Sequence, residues 1–166
     1  MLVSSSGSRK ADPAVVIWHY FAYGSNMNVE RVRARAMPFE SVSAGRLPRY
    51  ELLFDKVSRA HPDCAHANIA PRIGSLVEGV LYRLADPDVI YVMDQYESTP
   101  IKHSREVVEI LTNGEPILAW TYFANLAVRR SGCRPERNYL AHLLAGERFL
   151  SADYFARLYA VDVADG

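Results

Sequence analysis

A chain of 166 residues, 49% hydrophobic and 23% charged, has enough apolar material to build one core. Its 19 basic and 19 acidic side chains cancel to a formal net charge of zero, which argues against the basic face of a nucleic-acid-binding protein. Two cysteines, Cys64 and Cys133, are too few for a disulfide framework and point to a reducing cytoplasm. No apolar run approaches the ~20 residues that cross a bilayer.

Residues Met1 to Pro13 are Ser-rich and polar and lack the apolar centre of a signal peptide. They read as a flexible tail ahead of a single domain over residues 14–166. Ala14 to Tyr23 is a near-continuous β-branched and aromatic run, which predicts a buried strand. Gly24-Ser25-Asn26 breaks it. Asn26 or Asn28 caps a helix to about Ala36, and Pro38 ends it. The arginines of that helix, Arg31, Arg33 and Arg35, sit at every second position and read as a solvated surface. Phe39 to Leu47 and Tyr50 to Phe54 read as two strands broken at Pro48. His61 to Asn68 reads as a loop entering a short strand at Ala67 to Ala70, and Leu76 to Leu84 alternates as a strand. Asp86-Pro87 starts a helix that carries Ile90, Met93 and Tyr96 or Glu97 at helical spacing and stops at Pro100. Arg105 to Leu111, Asn113-Gly114 and Ile117 to Phe123 predict a β-hairpin. Pro135 to Leu144 is a helix closed by Gly146, and Ser151 caps a last helix to Ala160. Strands adjacent in sequence predict an α+β fold with a curled, mixed sheet.

Two segments carry candidate chemistry. Tyr23-Gly24-Ser25-Asn26 is either an ordinary strand-to-helix turn or a cradle whose free backbone N–H groups hold an anion. Glu97 is either a surface carboxylate or a proton-transfer group. The negative end of its helix, Asp94 one turn back, and apolar cover from Tyr96, Pro100 and Ile101 would all disfavour its ionisation. His61, Asp63, Cys64 and His66 place four potential metal ligands within six residues. No second ligand pair and no His-Glu-x-x-His pattern accompanies them, so no metal site is expected. Cys133 lacks the surroundings of a thiol nucleophile, and no Gly-x-Ser-x-Gly elbow occurs.

Phe21-Ala22-Tyr23-Gly24-Ser25-Asn26 resembles the signature loop of the γ-glutamylcyclotransferase, or AIG2-like, family. Gly79-Val80-Leu81-Tyr82 resembles that family's central strand, and Met93-Asp94-Gln95-Tyr96-Glu97 its glutamate segment. Trp120-Thr121-Tyr122 and Pro135 to Tyr139 resemble two later tyrosine sites, so the likeness runs from about Tyr20 to Val161. Two positions depart from the pattern: Ser98 stands where the family usually has Gly, and Ser104 where it has an aromatic residue. The resemblance implies a small curled mixed β-sheet, or barrel, flanked by helices. It implies conversion of a γ-glutamyl amino acid, peptide or amine into 5-oxoproline plus a free amine, in glutathione-type turnover or in removing a protecting group. Glu97 would be the catalytic acid/base, and Ala22, Tyr23, Gly24, Ser25, Asn26, Tyr122 and Tyr139 would bind substrate. The two tyrosines would bond Glu97 or the substrate. No cofactor, metal, nucleic acid or membrane is implied, and the chain would be a monomer or homodimer. The rival readings are a non-catalytic module of the same fold binding a small acidic ligand or a protein, and a thiol or metal protein built on His61, Cys64 and His66.

Overall fold

The structure, a computed structural model, describes residues 14–164; the predicted tail over residues 1–13 lies outside them. Strand β1 (His19–Ala22) is followed by a single 3-10 turn at Ser25–Met27 and helix α1 (Val29–Ala34). Two long strands, β2 (Phe39–Val57) and β3 (Ala65–Leu84), form a hairpin. Helix α2 (Ile90–Glu97) leads into a second hairpin, β4 (His103–Thr112) and β5 (Glu115–Ala124), and the chain closes with α3 (Arg137–Leu144) and α4 (Ala152–Tyr159). The strands close into a barrel in the order β1-β3-β2-β4-β5. The β1–β5 seam is parallel and the other pairings are antiparallel, so the sheet is mixed and curled as expected.

The local punctuation acts where the sequence places it. Asn28, rather than Asn26, caps α1 by accepting from the amides of Glu30 and Arg31. The Asp86 carboxylate accepts from Asp88 N, and Ser151 Oγ from Tyr154 N. Asn113 and Gly114 turn the second hairpin at φ of +49° and +79°. Three strand expectations need correction. The first strand is only four residues long, because β3 ends at Leu84 and leaves residues before His19 little to pair with; Val15 is 72% exposed. Pro48 does not divide β2. The ladder steps across it as a bulge, with Pro48 opposite Leu76 and Tyr50 opposite Pro71. The predicted loop and two short strands over 61–84 are largely one strand, β3.

Both faces of β3 from Val77 to Tyr82 are buried, since one faces the barrel interior and the other the helices. The interior is filled by Phe21, whose ring lies against Gly45 and Gly79, two glycines directly opposed across the β2–β3 ladder. A Cβ on either would strike that ring, so side-chain-free backbone there is what admits Phe21. Tyr20, Tyr82 and Tyr122 pack together at centroid distances near 6 Å and carry the core towards the helical side.

Candidate active site

A cavity of about 180 Å³ opens where β1 gives way to its turn, and strands and helices from the length of the chain converge on it. Tyr23, Gly24, Ser25 and Asn26 form one wall. α1 and its C-terminal cap contribute Arg31 and Arg35, the paired strands β2 and β3 Lys56 and His66, and the end of α2 and its cap Tyr96, Glu97 and Ser98. Lys102 and His103 enter from the start of β4, Tyr122 from β5 and Tyr139 from α3.

Glu97 is the sole carboxylate among the described lining residues and is 21% exposed at its side chain. One carboxylate oxygen lies 3.4 Å from Asn26 Nδ2 and 4.0 Å from Arg35 Nη1. The other lies 3.5 Å from His103 Nδ1, which is also 2.7 Å from the Glu97 carbonyl oxygen and donates to it. The end of α2 is thus pinned from both sides while its carboxylate reaches into the cavity. The environment expected around Glu97 differs in two respects. Asp94 is not a repelling neighbour: Arg105 Nη1 at 2.6 Å and the Tyr122 hydroxyl at 2.7 Å occupy its oxygens. Pro100 and Ile101 give no apolar cover, because they follow the helix into a solvent-facing turn where Ile101 is 80% exposed.

The turn after β1 is shaped for close approach. The amides of Gly24, Ser25 and Asn26 precede the first bond of the 3-10 turn, in which Met27 N donates to Gly24 O, so that bond does not consume them. At Gly24 a Cβ would come within 3.2 Å of the Tyr139 hydroxyl oxygen and 3.3 Å of Ala67 Cβ. Asn26 is buried and serves as a bracket. Its amide nitrogen donates to the Tyr20 hydroxyl at 2.9 Å and faces Glu97, its Oδ1 accepts from Arg35, and its carbonyl accepts from the Tyr82 hydroxyl. Ala22, in register with Val80, is buried in β1 and is absent from the lining.

Neither tyrosine singled out in the sequence bonds Glu97. The Tyr122 hydroxyl donates to Asp94, whereas the Tyr139 hydroxyl accepts from Ala67 N at 2.9 Å. Burial raises the ionisation of both phenols well above the ordinary value, so both stay protonated.

The arginines of α1 also depart from expectation. Arg33 is solvated and pairs with Glu30, but Arg31 and Arg35 are one helical turn apart and both face the cavity. Read in steps of two the three scatter; read in steps of four, two of them share a face. Arg35 stacks on the Tyr96 ring at 4.6 Å. Lys56, Lys102 and His103 carried no signal in the sequence, and His66 stood out only as a potential metal ligand, since only barrel closure brings the four together. The cluster at residues 61–66 disperses: His61 faces Glu136, Asp63 faces Arg130, Cys64 is buried, and His66 stacks on Tyr139 at 4.3 Å.

Desolvation first, then Lys56, Arg31 and His103, hold the His66 imidazole down at about 4. This is below the 6.5 of a free imidazole, so on acidification the unfolded chain takes up the proton first. The stability His66 contributes is complete above pH 6.5 and is lost as the pH falls towards 4. After discounting for partial exposure this loss is about 2 kcal/mol. Melting temperatures of native protein and His66→Gln across that range are expected to converge at low pH. Parallel curves would show that His66 carries none of the dependence.

The sequence profile described as gamma-glutamyl cyclotransferase, AIG2-like, matches residues 20–142. The chain belongs to this family. Among solved structures, a gamma-glutamyl cyclotransferase superposes with a TM-score of 0.77 at 25% identity, over 90% of each chain. An uncharacterized Homo sapiens protein does so with a TM-score of 0.78 at 24% identity, again over 90% of each. A yeast gamma-glutamyl cyclotransferase specific to glutathione shares the fold at a TM-score of 0.60 and 13% identity, over 84% of this chain and 93% of its own. No curated protein matches the chain. Among the described residues, no helix is long and apolar enough to cross a membrane.

The two departures from the γ-glutamylcyclotransferase pattern acquire a physical meaning. Ser98 caps α2 with φ +52° and ψ +45°, the left-handed region where a side chain is penalised and glycine is not. Ser98→Gly is expected to stabilise this member of the family by about 0.5–1 kcal/mol, after the entropy glycine loses on folding. That corresponds to a rise of about 1–4 °C in melting temperature; an unchanged or lower value would contradict the strain argument. Ser104 bonds Glu106 on the outside of the hairpin and does not line the cavity, whereas the preceding His103 does.

Proposed function

We propose that the chain is a γ-glutamyl cyclotransferase that converts a γ-glutamyl compound into 5-oxoproline and a free amine. The observation that carries this reading is Glu97, the sole carboxylate among the described lining residues of a small cavity that also presents four cations and several tyrosines. The glutamyl head of the substrate enters the cavity with its α-carboxylate on the amides of Gly24 to Asn26. Its α-ammonium meets Glu97, which takes a proton. The freed α-nitrogen attacks the γ-carbonyl carbon, the lactam C–N bond forms, and the bond to the leaving nitrogen breaks. Glu97 gives that proton to the leaving nitrogen, then takes the second proton from the lactam nitrogen and passes it to the departing amine, which leaves as an ammonium, so atoms and charge balance without a protein nucleophile.

Position supplies much of the rate, because a five-membered closure held in line has a high effective molarity. The Tyr139 hydroxyl, whose oxygen already accepts from Ala67 N, directs its proton at the oxyanion formed on the γ-carbonyl. Asn26, Arg35 and His103 hold Glu97 in place and leave one face open to the substrate. Release of 5-oxoproline from γ-glutamyl amino acids, glutathione and γ-glutamyl amines tests the reading. A folded protein that releases none from any of them would favour a ligand-binding module instead.

A further inference from the structure

Four cations line the cavity against one carboxylate, and only Arg35 is paired with it. Arg35 is held by Asn26, Glu97 and the Tyr96 ring, and Arg31 Nη1 lies 3.4 Å from His142 Nε2. Among the described residues Lys56 and Lys102 have no side-chain hydrogen-bond partner. Among the described residues neither has an ion-pair partner within 4.0 Å, and Lys56 is only 9% exposed. The acid next to Lys56 in sequence cannot serve it, because Asp55 accepts from Asn68 and Arg129. An ammonium on a largely buried side chain with no ion-pair partner is costly, and here a second lysine lies close enough to repel it, opposed only by the weaker attraction of Glu97.

The position of Lys56 says what would relieve that cost. Lys56 and His66 are directly opposed across the β2–β3 ladder, so their side chains share the face that meets the cavity. His66 in turn stacks on Tyr139, whose hydroxyl sits against Gly24. Lys102 is next in sequence to His103, which touches Glu97. Both lysines therefore line the same cavity as the turn that would receive the glutamyl head. That head is a zwitterion, with one carboxylate and one ammonium, and leaves the cationic excess in place. A neutral alkyl leaving group leaves it too. A carboxylate on the leaving amine offsets it.

We propose that Lys56, assisted by Lys102, binds a carboxylate on the leaving amine, so that the chain prefers γ-glutamyl α-amino acids to γ-glutamyl amines without an acid group. The proposal rests on the cyclotransferase reading for its chemistry but not for its binding site. A matched pair of compounds tests it: γ-glutamylalanine and γ-glutamylethylamine differ only by the carboxylate. kcat/KM for 5-oxoproline release is measured alongside the rise in melting temperature each compound produces, which reads binding without turnover. The native protein is expected to favour γ-glutamylalanine at least about tenfold, the strength of one hydrogen-bonded charge pair. Lys56→Met is expected to collapse that ratio towards one, and Lys56→Arg to keep it. A native protein indifferent to the carboxylate, a ratio that survives Lys56→Met, or an equal loss on both compounds would overturn the proposal. If neither compound is turned over but γ-glutamylalanine alone stabilises the protein, and does so only with Lys56 present, the anion site stands and the cyclotransferase reading falls.

Discussion

Glu97→Gln is expected to lower kcat for 5-oxoproline release by about 10²–10⁴-fold, the range for removing a positioned acid/base, and to move the melting temperature by little. The amide has nearly the shape of the carboxylate. Its oxygen can still accept from Asn26 Nδ2, and the His103 bond to the Glu97 carbonyl is untouched. What the amide cannot do is carry a proton from the substrate α-ammonium to the leaving nitrogen. The loss should therefore appear in kcat far more than in KM, because the groups proposed to seat the glutamyl head are unchanged. Release that survives the substitution would mean that another group moves the proton, and His66, already neutral and facing the same cavity, would become the next candidate.

The largest expected effect on stability comes from a methyl group. In Gly79→Ala the new Cβ would lie 2.3 Å from the Ala22 carbonyl oxygen and 2.9 Å from the Phe21 ring. The carbonyl belongs to β1, whose residue Ala22 is in register with Val80, so it cannot retreat without opening the barrel seam. A loss of about 3 kcal/mol or more is expected, the upper end for overpacking a core, with a fall of at least about 6 °C in melting temperature. Gly45→Ala, opposite it in the same ladder, meets only side chains, with Ile110 Cγ2 at 2.9 Å and the Phe21 ring at 3.1 Å. Side-chain ends can give way, so Gly45→Ala is expected to be the milder of the two in thermal denaturation. Equal losses would sink the assignment of the clash to the Ala22 backbone. Ala22 also leads directly into Tyr23 and Gly24, so any strain at Gly79 that the fold survives should reach the cavity wall.

These two residues were legible in the sequence to different degrees. Glu97 was visible as a carboxylate at a helix end, and the structure places it in the cavity. Its surroundings were misread, because Asp94 and Ile101 are neighbours along the chain while Asn26, Arg35 and His103 are neighbours in space. Gly79 was visible as part of a strand, but nothing in the strand itself reveals that Phe21 crosses over it. Arg31 and Arg35 were within reach of sequence reasoning, since a one-turn spacing puts them on one face; counting in steps of two concealed it.

Short-range physics was determined by the sequence alone. The caps at Asn28, Asp86 and Ser151, the turn at Asn113-Gly114 and the strand-to-turn break at Gly24 each depend on a few adjacent residues, whose backbone needs are met locally. The tertiary structure decided which faces are buried and which charges meet. Closure of β1 against both β3 and β5 brings residues as far apart as Arg31, Lys56, His103 and Tyr139 around one cavity. No window of sequence contains that set. Coulombic and hydrogen-bonded partners are fixed by distance in space, and in a barrel this distance is set by long-range pairing rather than by separation along the chain.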